Sequence, residues 1–269
     1  MYRKLWTNSP PLAATTLLML AAFLFSLAAV YLDPRTITGV PAWLKPAKFA
    51  ISSAIYTGTL AWLFGYITVW PRFTRAMGAV IAAVIVLEVT IIDVQAARGT
   101  TSHFNVGTAL DAALWATMAV GILVLWLASV GVVVALFRQR FADPAWGWAL
   151  RLGMLISVIG AGLGGFMTRP TPAQVESLAQ HEHVRVIGAH TVGAPDGGPG
   201  LPVVGWSSRH GDLRIPHFFG LHGVQIVPLF AWLMRRRRTQ SGIFVFAGGY
   251  FALIALLTWQ ALAGQPILG

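Results

Sequence analysis

Pro46 to Phe64 reads PAKFAISSAIYTGTLAWLF, and Pro216 to Met234 reads PHFFGLHGVQIVPLFAWLM. The two align without gaps: Pro46 with Pro216, Phe49 with Phe219, and Ala61-Trp62-Leu63 with Ala231-Trp232-Leu233. Each is apolar over about 20 residues, the length that crosses about 30 Å of hydrocarbon as a helix. Each is followed by a basic turn and a further apolar segment. Those further segments end in Gln95-Ala96-x-x-Gly99 and Gln260-Ala261-x-x-Gly264. The segments before the pair end in Asp33-Pro34-Arg35-Thr36 and Thr168-Arg169-Pro170-Thr171. Three matches in one order point to an internal repeat.

Around this pair the chain reads as an all-α, polytopic membrane bundle of seven transmembrane helices. The spans expected are 11–32, 47–69, 76–96, 105–137, 146–168, 216–234 and 242–262. Prolines punctuate them: Pro10 and Pro11 open the first, Pro71 stops the second, and Pro144 and Pro170 bracket the fifth. Helices 1–3 repeat as helices 5–7, with helix 4 as linker. Four spans separate the copies, so both run the same way, as a parallel 3+1+3 repeat about an axis along the membrane normal. The first span is read as retained, since no small-residue cleavage site follows it. The expectation is one membrane domain over residues 1–269.

Composition agrees. Of 269 residues, 56% are hydrophobic and 10% charged, against about 25% charged in soluble domains. The net charge of +10 would suggest nucleic acid in a soluble protein. Here the basic residues sit in short loops, where membrane topology accounts for them. There are no cysteines, which excludes disulfides, thiolate metal sites and cysteine nucleophiles. One side carries Arg3, Lys4, Arg72, Arg75, Arg138, Arg140, Arg151 and Arg235 to Arg238 against the single acid Asp143. That bias places the N-terminus in the cytoplasm and the C-terminus outside. The one long connection, 169–215, then lies on the outer side. Loops of that length tend to be functional, and this one is expected to pack down as a lid.

The chemistry gathers in Arg209 to Gln225, RHGDLRIPHFFGLHGVQ. His222 lies about 9 Å down helix 6 at 1.5 Å per residue. Glu88 and Asp111 fall at similar depths from the same side, and with His222 they are the expected catalytic layer. Polar groups at such depth face a cavity, a ligand or each other. His103, His190, His217 and His222 are the candidate cofactor ligands, and His103, His217 and His222 the candidate metal ligands. His217 and His222 are five residues apart, about 140° around a helix, so His217 must sit at the cap to join His222. Lys48, Arg98, Asn105, Arg214, Gln225 and Gln260 are expected to ring the mouth and touch substrate.

Three functions suit this pattern. Histidine holds haem iron in membrane bundles, and histidine with carboxylates suits a non-haem metal ion. The leading expectation is therefore a membrane oxidoreductase or electron carrier with haem b or a metal ion. The 3+1+3 plan resembles, in topology, that of the sugar-exporting SWEET carriers, which implies a small-solute transporter with Glu88, Asp111 and His222 as its proton-coupling site. The third is a sensor or accessory subunit. The expected partners are the bilayer and a small molecule from the outer face or the membrane, with a homo-oligomer left open. No Walker loop, dinucleotide fingerprint or GxSxG elbow occurs, which argues against nucleotide enzymes and serine hydrolases.

Overall fold

The computed structural model describes residues 2–268. Helices dominate: α1 (Tyr2–Asn8), α2 (Pro10–Leu32), α3 (Leu44–Phe64), α4 (Pro71–Ala97), α5 (Ala109–Arg138), α6 (Pro144–Met167), α7 (Pro172–Ala179), α8 (Arg214–Leu221), α9 (Gly223–Leu233) and α10 (Gln240–Leu262). Four two-residue strands, β1 (Thr36–Ile37), β2 (Val40–Pro41), β3 (Thr191–Val192) and β4 (Gly211–Asp212), pair antiparallel as β1–β2 and β3–β4.

Five helices, α2, α4, α5, α6 and α10, are long and apolar enough to cross a membrane. Apolar side chains stay exposed on them, such as Leu24 at 65% and Val245 at 76%. Surfaces of this kind belong in lipid, and the chain is an all-helical integral membrane protein. Seven spans were expected. α3 has the length, at 21 residues, but is diluted by Lys45, Lys48, Ser52, Ser53, Thr57 and Thr59. The expected sixth span is broken in two.

The break has a local cause. α8 ends at Leu221 and α9 starts at Gly223, with His222 between them at φ −76°, ψ −1°. In an unbroken helix the Leu221 carbonyl would accept from Gln225 N. Instead Ser157 Oγ of α6 donates to Leu221 O at 2.9 Å, and Gln225 N turns to His222 O at 3.0 Å. Gly220 lies directly on Gly160 of α6, so close that a Cβ on either would collide with the other's backbone. Pro228, inside α9, removes a further N–H.

The chain divides into two compact units, the first up to Ala135 and the second from Leu136. In unit 1, α2 packs along α3, and α4 packs on both. Leu12, Leu60, Leu63, Ile81 and Ile92 are fully buried there. Thr16 and Thr57 hydroxyls meet at 2.9 Å, and Tyr56 OH meets Ser129 Oγ of α5 at 3.0 Å. One end of the unit is laced by Asp33, which accepts from Arg35 N, Nε and Nη2 and from Trp43 Nε1 at 2.7–3.1 Å. Arg35 Nη1 crosses to Ala97 O at the end of α4, at 2.9 Å. Hydrogen bonds from Arg35, then Trp43, hold the Asp33 carboxyl well below the usual carboxylate range.

In unit 2, α6 packs against α8, α9 and α10. Its core includes Ala149, Val227, Ala231, Ile243 and Ala247, with the Phe230 and Phe246 rings stacked 3.9 Å apart. Asp143 caps α6 by accepting from Trp146 N at 2.9 Å, and it also pairs with Arg238. The long connection has structure of its own. Thr171 and Gln174 form a capping box on α7. Gln174 also bonds Gly188 N and O, Ala189 N donates to Met167 O at 3.0 Å, and β3 zips to β4 with Thr191 opposite Asp212.

α4 and α10 end alike. Gly99 (φ +74°) and Gly264 (φ +73°) take the left-handed conformation that a helix end requires. Thr100 N returns to Gln95 O, and Gln265 N to Gln260 O. Gln95 Nε2 donates to Thr101 O and Gln260 Nε2 to Pro266 O, each six residues on.

Candidate functional site

Of the three residues expected in one catalytic layer, Glu88 and Asp111 belong to unit 1 and His222 to unit 2. Asp111, in the first turn of α5, is fully committed. Its Oδ1 accepts from Gln95 Nε2 at 2.9 Å and Arg98 Nη1 at 2.7 Å, and its Oδ2 from Thr108 Oγ1 at 2.7 Å. Gln95 also accepts from Arg98. This network ties the end of α4 to the start of α5 and uses both oxygens of the carboxylate. Asn105 braces the connecting loop, donating to Thr100 Oγ1 and Thr101 O and accepting from Gly107 N. His103 lies beside the loop's aromatics, 5.3 Å from Phe49, 6.1 Å from Phe104 and 5.6 Å from Trp115 between ring centroids. Its Nδ1 is 3.1 Å from Ser102 Oγ. Lys48 is half-buried on α3.

Glu88 differs from all of these. It is 5% exposed, and among the described residues neither of its oxygens has a hydrogen-bond partner.

In unit 2, His222 contacts Phe218 at 4.4 Å and hydrogen-bonds the Gln225 side chain one turn on. Arg214 is locked to the buried Asp212 through N, Nε and Nη2 at 2.5–3.0 Å. Its guanidinium also reaches Gly205 O, while Ser207 N donates to Asp212. A buried ion pair repays its desolvation only when its remaining atoms are satisfied, and here donors surround the carboxylate. Gln260 serves the end of α10, as described.

Two histidines of unit 2, His217 and His190, each have an orienting partner at Nδ1. His217 Nδ1 is 2.8 Å from Gly160 O. A carbonyl can only accept, so Nδ1 carries the proton, and in the neutral ring Nε2 carries the lone pair. Bare α6 backbone lies under the ring: a Cβ at Gly164 would stand 3.2 Å from His217 Cε1 and 3.8 Å from Met167 Cε. His190 lies in the long connection, just before β3. Its backbone carbonyl accepts from Leu213 N, and its Nδ1 is 2.8 Å from Asp196 Oδ2. Asp196 also accepts from His190 N and Thr191 N. Burial alone would push the Asp196 carboxyl up, but these bonds and the His190 ring hold it well below the usual carboxylate range.

Sequence reasoning named His190 and His217 but missed Asp196 and Gly160, which orient them. Asp196 stands in APDGGPG, where an aspartate reads as turn-forming, and Gly160 reads as one of several helix glycines. Among the described residues, no three His, Asp or Glu side chains are grouped to hold a metal ion. No family model matches the chain, and no curated protein or solved structure matches it either.

Proposed function

We propose that this membrane protein is an oxidoreductase or electron carrier that holds haem, or failing that a metal ion, in unit 2 through Nε2 of His217, with His190 as second ligand. The observation that carries this reading is the His217–Gly160 hydrogen bond. Ligating histidines characteristically donate their other ring N–H to a backbone carbonyl or a carboxylate, and His217 and His190 have one such partner each. Haem asks for one or two protein ligands, whereas a bare ion with two histidines needs further donors.

The reading extends to topology. α3, and α8 with α9, complete seven spans, with the N-terminus cytoplasmic, the C-terminus outside and the histidines at the outer face. The parallel 3+1+3 repeat is supported by the division into two units and by the shared glutamine–glycine ending of α4 and α10. The absorption spectrum and metal content of the purified protein test the cofactor. A Soret band that collapses in His217→Ala is expected; neither a Soret band nor stoichiometric metal in the wild type ends the proposal.

A further inference from the structure

Four buried oxygens in unit 1 have no hydrogen-bond partner among the described residues: Ser26 Oγ on α2, and Glu88 Oε1, Glu88 Oε2 and Asp93 Oδ1 on α4. All can accept. A buried acceptor left without a donor costs roughly 1–3 kcal/mol, and more if it is charged, so such groups persist where they bind something. Intramembrane carboxyls mark ion or proton pathways.

The arrangement says which ion. Glu88 and Asp93 are five residues apart, about 140° around α4, so they cannot close on one metal cation. They are also offset by about 7.5 Å along the axis, so a proton passes between them only along a chain of several waters around the helix. Asp93 is the nearer to the helix end and is half-buried, while Glu88 is buried. We propose that Glu88 is a proton-binding site in the membrane-spanning part of unit 1 and that Asp93 relays protons between it and the end of α4.

The transfer moves no electrons. A proton arriving from water at the end of α4 adds to Asp93, passes through bridging water, and converts the Glu88 carboxylate to the acid. Each uptake changes the charge of the site by one. The charged groups on the packed helices are few. α3 contributes Lys45, whose charge acts on Glu88, and Lys48. α5 contributes Asp111, already paired with Arg98, and α2 contributes the neutral Ser26. The proposal is independent of the cofactor in unit 2, and either can fail alone.

Infrared difference spectra of the full-length protein in liposomes, recorded between acid and alkaline buffer, test it. The wild type is expected to show a protonated-carboxyl band that shifts in D2O. Glu88→Gln, nearly isosteric, should lose that band, while Glu88→Asp should keep it at a shifted position. Asp93→Asn should keep the band but slow its exchange with D2O. A band unchanged in Glu88→Gln overturns the assignment to Glu88, and unchanged exchange in Asp93→Asn overturns the relay.

Discussion

His217 shows how much a single hydrogen bond decides. Donating Nδ1–H to Gly160 fixes the tautomer, and with it the atom left for a ligand. His217→Ala is expected to abolish the Soret band, while His190→Ala should leave a weaker, shifted spectrum with one ligand exchanged. His222→Ala should leave the spectrum in place, since that ring is engaged with Phe218 and Gln225. The sequence could be read far enough to name these histidines, because they cluster at one end of the apolar segments. It could not rank them. His222 drew attention through its depth, but depth does not say where a ring's second nitrogen points. That depends on backbone carbonyls of another helix, which no spacing rule encodes. For the same reason Asp111 and Glu88 read alike as buried acids, although one is saturated with donors and the other has none among the described residues.

At the level of elements, glycines and caps set the packing of unit 2. Gly160 and Gly220 let α6 and α8 touch backbone to backbone. Gly220→Ala should destabilise the protein by about 1–3 kcal/mol through forced separation, seen as a lower unfolding temperature in detergent. Asp143 both caps α6 and pairs with Arg238. Arg238 first, then Trp146 N, lowers its folded-state pKa. Its contribution is therefore complete above the unfolded value of about 3.9 and is lost as pH falls through the lower folded value. With its side chain 43% exposed, solvent screening limits this to about 1 kcal/mol. Thermal stability measured from pH 6 down to pH 2 should fall in the wild type by that amount more than in Asp143→Asn, which can cap but not titrate. Helix positions were largely legible, because prolines and apolar runs mark them within a few residues. The division of the sixth span was not, because it arises where Ser157 of a different helix captures the Leu221 carbonyl.

Over the whole molecule, the absence of cysteine makes topology directly measurable. Thr68→Cys, between α3 and α4, should react with an impermeant maleimide only after cells are opened. Val186→Cys, in the long connection, should react in intact cells. Labelling of Thr68→Cys in intact cells, or protection of Val186→Cys there, would refute the proposed orientation. Composition and hydropathy sufficed to read a helical membrane protein. The count of spans was harder, since α3 reads as an apolar span yet carries two lysines and several hydroxyls, and the expected sixth span is divided at His222. The lacing at one end of unit 1 also bears on how that unit moves. Asp33, Arg35, Trp43 and the Ala97 carbonyl hold three helix ends in a hydrogen-bonded girdle. Farther along, α2, α3 and α4 are joined mostly by apolar contacts, which slide at little cost. Breathing of this unit should therefore pivot about the girdle, with amide deuteration slowest beside it and fastest at the opposite ends of the same helices.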